Sequence, residues 1–395
     1  MRKVLFIIVL LPIAAAAAWL YFRERALPNY GPAYREYAYV TNGKSNTVSV
    51  IDLRTFELAK TIPVGISPTG LAANSRKNEI YVVNTGSNNV SVIDAEKNAV
   101  AATIGVHGRP YFIDVSQDGK RAYVANSGSA NVAVIDLEKR IVLGNVRVGS
   151  EPGLARVSPD GTTVLASNRG DGTVSIIDAK ALRVRTTLPV CQHPEDIAIL
   201  PDSSKAFVAC SGSSQVASIA LATGKNGDST ADRVLALLDV GKTPMSLTLK
   251  PDGGELVVCN FDSDSISFIE TGSDEVGSSA TIGQHPVHAL VTRDNARLYV
   301  SNFGSDNIAA YDIDIGRRIA TMEVGSRPDG LALSQNERYL LVLDTQAGDV
   351  TVIQRRNPRK LEPTEYSLLT MIPVGLQPNA IVVKSFMVSR PSQAK

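Results

Sequence analysis

The chain has 395 residues, with 40 lysines and arginines against 39 acidic residues and a formal net charge of +1. This balance argues against an electrostatic nucleic-acid binder, which normally carries a strong basic excess. The hydrophobic content of 44% is ordinary and gives no sign of disorder. A chain of this length can form several ordinary domains or one large repeat domain.

The N-terminus has the pattern of an export segment. Met1-Arg2-Lys3 precedes nineteen uncharged residues, 4–22, and a charged stretch follows at Arg23. At about 1.5 Å per residue such a helix roughly spans the hydrocarbon core of a bilayer. The apolar run continues beyond the alanines at 14–18, which favours an uncleaved anchor over a cleaved signal peptide. Residues 1–30 are therefore predicted as a signal or transmembrane helix, and the rest as extracytoplasmic (periplasmic or cell-surface), membrane-anchored or secreted.

A short segment of the type YVTN, followed by a Gly/Ser/Asn turn and V-S-V-I-D, recurs along the chain. Its fourth residue falls at Asn42, Asn84, Asn126, Asn168, Cys210, Asn260, Asn302 and Asp344. Six of the seven intervals are 42 residues, and the other is 50. A fixed period of this length indicates a repeat architecture. Almost no stretch has 3.6-residue apolar spacing, which excludes helical repeats.

Each repeat has the pattern of four short strands. In the third repeat, predicted strands run over 123–126, 131–135, 141–148 and 152–157, with turn residues at each junction. Four strands per repeat, separated by turns, are typical of a propeller blade.

Counting the strands predicts how the propeller closes. Proline-led strands begin at Pro68, Pro110, Pro152, Pro194, Pro244, Pro286, Pro328 and Pro378. The first YVTN segment has no proline-led strand before it, and the last such strand, 378–384, has no blade after it. The C-terminal strand is thus predicted to complete the first blade, which removes free sheet edges. The prediction is an all-β, eight-bladed β-propeller over residues 31–385 with a tail at 386–395, or seven blades if one repeat is degenerate.

These segments resemble the YVTN-repeat β-propeller family. The resemblance rests on YVTN, YVVN, YVAN and YVSN, on the I-P-V-G-x-x-P and S-P-D-G segments, and covers residues 38–384. It implies a propeller but no single function. That family and its relatives include exported proteins of unassigned role, surface-layer proteins and the haem-binding propeller of haem-d-type nitrite reductases. Lactonases are more distant propeller relatives. Fold does not choose among these.

Most of the repeated residues have a structural explanation. The Asn that ends each YVxN strand is expected to accept from backbone amides and to shape the turn, and the Asp after the next strand does the same. The Gly of V-G-x-x-P permits the bend between blades. Function is therefore expected where a repeat departs from the consensus.

The departures lie in the loops that lead into the proline-led strands, all on one face. The residue before the proline runs Ser67, Arg109, Glu151, His193, Thr243, His285, Arg327 and Gln377. His107 and Cys191 replace the consensus Gly, while Asp196 and His288 stand where two other repeats have Gly. The predicted ligand-binding face comprises His107, Arg109, His193, Glu195, Asp196, His285, His288 and Arg327.

These side chains indicate several kinds of chemistry. The imidazoles of His193, His285 and His288 suit a metal, a haem or an anion. Arg109 and Arg327 suit a carboxylate or phosphate. Glu195-Asp196 could bind a divalent ion or serve acid/base chemistry, and no metal ligand set is assigned. The structural alternative is that exposed loop positions simply tolerate polar residues. Asp114 and Arg156, at equivalent positions of neighbouring strands, are predicted to form an ion pair between blades.

The three cysteines, Cys191, Cys210 and Cys259, form no metal-binding or haem-attachment motif. Buried free thiols are expected, and a disulfide between one pair is left open.

No nucleophile–base motif or nucleotide-binding loop is present. The leading hypothesis is a membrane-tethered, non-catalytic scaffold without a cofactor, which binds a protein or small molecule on the histidine-bearing face. The alternative is a haem-binding, oxidoreductase-like or haem-handling protein with His193 or His285 as axial ligand. A weaker alternative is a lactonase-like hydrolase that uses Glu195 and Asp196 with a divalent metal.

Overall fold

The computed structural model describes residues 31–222, 232–356 and 365–388. The predicted N-terminal helix lies outside these residues. Within the described ranges the only helical element is a short 3₁₀ turn, Phe261–Ser263, and no helix is long and apolar enough to cross a membrane. Residues 36–385 form one compact unit. In the other unit, which takes in both chain ends, the amide of Val388 donates to the carbonyl of Ala33 over 2.9 Å.

The strands are grouped into eight antiparallel sheets of four, numbered here as blades 1 to 8. Blade 1 comprises β1 (Tyr34–Asn42), β2 (Thr47–Asp52), β3 (Glu57–Pro63) and the last strand, β32 (Pro378–Met387). Blade 2 comprises β4 (Pro68–Ala73), β5 (Glu79–Asn84), β6 (Asn89–Asp94) and β7 (Ala99–Gly105). Blade 3 comprises β8 (Pro110–Val115), β9 (Arg121–Asn126), β10 (Asn131–Asp136) and β11 (Ile141–Arg147). Blade 4 comprises β12 (Pro152–Val157), β13 (Thr163–Asn168), β14 (Thr173–Asp178) and β15 (Arg183–Pro189).

The second half repeats the same order. Blade 5 comprises β16 (Pro194–Ile199), β17 (Lys205–Cys210), β18 (Gln215–Ala220) and β19 (Arg233–Asp239). Blade 6 comprises β20 (Pro244–Leu249), β21 (Glu255–Asn260), β22 (Ser265–Glu270) and β23 (Glu275–Thr281). Blade 7 comprises β24 (Pro286–Val291), β25 (Arg297–Asn302), β26 (Asn307–Asp312) and β27 (Arg317–Glu323). Blade 8 comprises β28 (Pro328–Leu333), β29 (Tyr339–Asp344), β30 (Asp349–Arg356) and β31 (Glu365–Pro373).

The eight-bladed prediction and its closure are confirmed. All eight proline-led strands begin at the predicted prolines, and each is the innermost strand of its sheet. The C-terminal β32 pairs with β1 as the innermost strand of blade 1. Its Asn379 Nδ2 donates to the carbonyl of Pro68 in blade 2 over 2.8 Å, which joins the last strand to the next blade.

The two middle strands of each blade carry the core. Their residues are buried on both faces, because neighbouring blades pack against each side of every sheet; Val90, Val92 and Ile93 of β6 are all inaccessible. The outermost strands alternate between exposed and covered residues, as Ile141 to Arg147 of β11 shows. Sheet-on-sheet packing of β-branched residues thus fixes the register of the two middle strands.

The glycine of V-G-x-x-P packs directly on the residue that ends the YVxN strand. A Cβ on Gly283 would approach the side chain of Asn302 to 2.3 Å, and one on Gly65 would approach Asn84 to 2.7 Å. The role predicted for the Asn was partly wrong. In blade 2 the buried Asn84 amide donates across the turn to Asn89 Oδ1 (2.7 Å) and to Ser91 Oγ (2.9 Å). Of these asparagines in the described residues, only Asn42 accepts from a backbone amide, that of Gly375, at 3.1 Å.

Blade 5 departs from this contact. Cys191 stands in place of the glycine and Cys210 in place of the asparagine, and the two form a disulfide with a Cα–Cα distance of 5.7 Å. The expectation of free thiols was therefore wrong for this pair, because the close Gly–Asn contact of the repeat brings the two side chains together. Cys259 is free and buried.

Candidate functional site

The loops that lead into the innermost strands hold their side chains outward by the same backbone geometry. All eight residues before the prolines have left-handed backbones, with φ between 49° and 55°. Each carbonyl accepts from the amide that follows a YVxN strand, as Arg327 does from Thr345 at 3.1 Å. In four of the loops the amide is also fixed by a side chain; that of Arg327 donates to Asp306 Oδ1 over 2.8 Å. The backbone is thus restrained while six of the eight side chains are exposed, on what we call the proline face; Ser67 and Thr243 are half-buried.

On blades 6 to 8 this face carries a row of planar groups. The His285 ring stacks on Phe261, with centroids 4.4 Å apart and an angle of 11°. Phe261 lies 6.4 Å from Phe303, and the Arg327 guanidinium lies 5.4 Å above the Phe303 ring. We call Arg327, Phe303, Phe261 and His285 the aromatic row. Both phenylalanines directly follow a YVxN strand, where other blades have Gly, Thr, Ser or Arg. Stacking of this kind contributes about 0.5–1.5 kcal/mol per pair and leaves flat, half-buried apolar surface.

Blades 3 to 5 carry a second, polar group on the same face. Arg169 donates from Nη2 to Glu195 Oε2 at 2.6 Å, and its guanidinium lies 5.2 Å from the centre of the exposed Tyr111 ring. Glu195 is therefore held by an arginine that the sequence did not single out. His107 and Arg109 project from the loop before blade 3, and His193 from the loop before blade 5, all as exposed side chains.

A third group faces the central channel, on the innermost strands. Arg156 Nη2 contacts Asp196 Oδ1 at 3.2 Å, and Asp196 Oδ2 accepts from the amide of Leu247 in blade 6 at 3.0 Å. The predicted Asp114–Arg156 ion pair was wrong. Asp114 instead accepts from the amide of Val157 at 3.0 Å, and the Arg156 head bonds to the next blade. Burial raises the pKa of Asp114, although the charge of Arg156 and two backbone amides oppose that shift.

His288, on β24, forms a pair with Asp329 on β28. Nδ1 lies 2.8 Å from Asp329 Oδ1, while 53% of the His288 side chain remains accessible to solvent. The ring is surrounded by innermost strands and yet reached by water, as expected of a side chain in the channel. Its burial lowers the pKa, but the hydrogen bond to Asp329 and the charges of Asp329 and Asp196 outweigh that effect and raise the pKa overall.

The structure thus divides the predicted residues between two sectors. His285, His288 and Arg327 belong to blades 7 and 8; the other five belong to the loops and strands of blades 3 to 5. Sequence reasoning missed Phe261, Phe303, Arg169 and Asp329. The first three share one position of the repeat, directly after YVxN, so a comparison of that position between repeats could have found them.

The three groups of side chains differ in whether they could hold a metal ion or a haem. Among the described residues no three metal-ligating side chains come together. Glu195 and Asp196 are each bound by an arginine, which gives no support to a divalent metal at this pair. For haem, His285 is an exposed imidazole that would hold the iron; its Nδ1 lies against Gly304, where an added Cβ would come within 2.6 Å of it. Haem would there supply redox or ligand-binding chemistry.

Two family models match parts of the chain. Residues 23–156 match the YNCE-like β-propeller, and residues 281–374 match a lactonase family described as a seven-bladed β-propeller. The chain resembles propellers of both kinds. Each match covers less than half of it. The YVTN-repeat resemblance stays a prediction, and no curated protein matches the sequence.

Solved structures are similar in fold. Dihydro-haem d1 dehydrogenase NirN, in complex with DHE, superposes with a TM-score of 0.72 and 14% identity over 88% of this chain and 74% of that chain. Hydrazine synthase of Kuenenia stuttgartiensis superposes with a TM-score of 0.57 and 21% sequence identity, over 69% of this chain and 91% of that chain. A putative 6-phosphogluconolactonase from Bacteroides uniformis superposes with a TM-score of 0.59 and 16% sequence identity, over 80% of this chain and 98% of that chain. At these identities the likeness shows the propeller fold alone.

Proposed function

We propose that the protein is an exported, non-catalytic binding module, and that its ligand is a planar molecule with a carboxylate that docks on the aromatic row. The single observation behind this proposal is the row itself. Arg327, Phe303, Phe261 and His285 form a continuous run of planar groups across three blades, with His285 stacked on Phe261 and Phe303 tilted towards it. The fold does not require the two phenylalanines, because the other blades have Gly, Thr, Ser or Arg at the same position.

The chemistry of the row selects the ligand class. Phenyl rings stack on flat π-systems, and the fork of an arginine pairs with a carboxylate. Arg327 has no ion-pair partner among the described residues, and it stacks on Phe303, which holds its head over the row. A flat acid can therefore contact rings and guanidinium at once without displacing an internal salt bridge.

Export is proposed on two observations. The charge pattern of the first 25 residues is that of a signal or anchor segment. The Cys191–Cys210 disulfide suits an oxidising compartment outside the cytoplasm.

The second candidate function is haem handling, and the observation that favours it is the place of His285 in the row. Its exposed imidazole would hold the haem iron beside the Phe261 ring, on which it stacks. The likeness in fold to NirN, whose structure contains DHE, supports the same candidate.

Two porphyrins separate these functions. Metal-free protoporphyrin IX and haemin share their plane and carboxylates, but only haemin takes an axial ligand. We would titrate both into the full chain in mild detergent and follow absorbance. The expected result is binding of both, about tenfold weaker in Phe303→Ala and Arg327→Gln. Ser127→Ala, at the equivalent position of blade 3, is the control.

The outcomes are distinct. Preferential haemin binding with a Soret shift that His285→Ala removes supports haem handling. Equal binding of both porphyrins supports the planar-acid site. Failure of both to bind, or binding that Phe303→Ala leaves unchanged, contradicts the aromatic row as a binding site.

A further inference from the structure

The innermost strands carry an unequal set of charges. Their acidic residues are Asp114, Glu195, Asp196 and Asp329, whereas their only cations are Arg156 and Lys384, with His288 as the titratable group. Lys384 lies far from the prolines, and its Nζ donates to the carbonyl of Asn74 at 2.6 Å. The proline end of the channel, which we call the channel mouth, is therefore acidic, while the rim beside it presents the unpaired guanidinium of Arg327.

Part of this acid charge is neutralised and part is not. Glu195 is paired with Arg169, and both oxygens of Asp196 are occupied by Arg156, the amide of Ile197 and the amide of Leu247. Among the described residues, the one hydrogen-bond or ion-pair partner of the Asp329 carboxylate is the imidazole of His288, which it contacts through one oxygen. When His288 is neutral, Asp329 is the one acid of the mouth without a permanent cation beside it.

A second observation points into the same place. Ser246, on β20 between β16 and β24, is 95% buried, since only 5% of its surface is accessible. Among the described residues its hydroxyl makes no bond of ordinary hydrogen-bond geometry, although it lies close enough to the Cys259 thiol to lower the pKa of that thiol. Asp196, Ser246 and His288 hold the same position of three successive innermost strands. A buried hydroxyl without a partner beside acids is a site for a hydrogen-bond donor.

We propose that the channel mouth at Asp329, His288 and Ser246 binds the ammonium group of an aromatic ligand whose ring lies on the aromatic row. The proposal rests on the proposed function and deepens it: the ligand is a zwitterion, with its carboxylate on Arg327 and its ammonium in the mouth. Arg327 and Asp329 are two residues apart at the start of blade 8, so one small molecule can reach both.

His288 gives the site a pH dependence of known sign. The charged or titratable groups that face it are Asp329 on β28 and Asp196 on β16, the latter already bound to Arg156; β20 contributes only the neutral Ser246. With Nδ1 bound to Asp329, the neutral ring offers Nε2 as an acceptor to an ammonium. A protonated ring repels that ammonium. Binding of an amine therefore strengthens as pH rises through the pKa of His288.

Three small compounds with the same phenyl ring test the proposal. Phenylalanine has both charges, phenethylamine only the ammonium, and 3-phenylpropionate only the carboxylate. In calorimetric titration of the full chain, we expect phenylalanine to bind most tightly, phenethylamine less tightly and 3-phenylpropionate most weakly. Asp329→Asn should weaken the two amines about tenfold and leave 3-phenylpropionate unchanged or slightly tighter. Glu151→Gln, which removes the same charge elsewhere on the proline face, should change each less than about twofold.

The wild-type pH profile needs no variant and guards against misfolding of Asp329→Asn. The affinity for phenethylamine should rise between pH 5.5 and about 8. Binding of 3-phenylpropionate that equals or exceeds that of phenylalanine, or amine binding that is flat or falls with pH, overturns the ammonium site. Porphyrin binding to the row would then still stand. Loss of all binding to both porphyrins and phenyl compounds rejects the ammonium site and the proposed function together.

Discussion

Cys191 and Cys210 occupy two positions that hold a glycine and an asparagine in five other blades, and there they form a disulfide instead of a close contact. The covalent bond therefore replaces a packing interaction that the rest of the ring uses. Both solutions join the loop before an innermost strand to the end of the next strand in the same blade.

Removal of one cysteine should destabilise blade 5. Cys210→Ala loses the covalent link and leaves Cys191 against a smaller side chain. Closure of a loop of this length, 19 residues in sequence separation, contributes about 2–4 kcal/mol. The midpoint of thermal unfolding should fall, as a scan followed by circular dichroism would show.

The consensus pair supplies the control. The double variant Cys191→Gly with Cys210→Asn restores the contact of the other blades and should recover much of the lost stability. If the double variant were as unstable as Cys210→Ala, the two arrangements would not be equivalent.

The glycine contact itself can be tested in blade 7. In Gly283→Ala the new methyl would meet Asn302 at 2.3 Å, so the buried asparagine must move and its hydrogen bonds weaken. We expect a loss of about 1–3 kcal/mol in the free energy of unfolding, measured with urea. Gly105→Ala, where an added Cβ meets nothing within 4 Å, is the matched control and should be nearly neutral. Equal effects of both substitutions would refute the contact.

Blade 8 should make the stability of the protein depend on pH. In six blades an asparagine ends the YVxN strand and in blade 5 a cysteine does, but blade 8 has Asp344, with a second acid, Asp349, five residues later. Burial, more than the neighbouring Asp349 charge, raises the pKa of Asp344 to about 8. A proton on this pair restores the donor that Asn84 supplies in blade 2.

The sign follows from linkage. The folded state holds this proton up to about pH 8, whereas the unfolded carboxyl loses it near pH 4. Stability from Asp344 is thus fully present below about pH 4 and declines as pH rises towards 8. Asp344→Asn should remove that decline and raise the unfolding free energy by about 1–3 kcal/mol at pH 8. Urea unfolding at several pH values measures it, and a parallel decline in the variant would count against the assignment.

Asp196 should contribute more to stability than Asp114, although both lie on innermost strands. Asp196→Asn weakens the bond to Arg156 and the bond to the amide of Leu247, which together join three blades. We expect a loss of about 1–2 kcal/mol. Burial raises the pKa of Asp114, so its ionised carboxylate is disfavoured in the folded protein. Asp114→Asn should therefore be neutral or stabilising at neutral pH. Thermal unfolding of both variants provides the comparison, and the reverse order would contradict it.

The sequence alone determined the number of blades, the start of every innermost strand and the closure by residues 378–384. It could do so because the period, the prolines and the turn residues are local signals that recur in every repeat. It also placed His107, His193 and His285 in the loops before innermost strands and His288 near the start of such a strand, since the same period defines these segments.

Only the tertiary structure decided which side chains meet. The Cys191–Cys210 bond, the Arg156–Asp196 pair and the His288–Asp329 pair join residues from separate strands or neighbouring blades. The stack of Phe261 on His285 likewise depends on how one blade is rotated against the next. Such contacts are set by the packing of sheets around the channel, about which the spacing of residues along one chain carries no direct information.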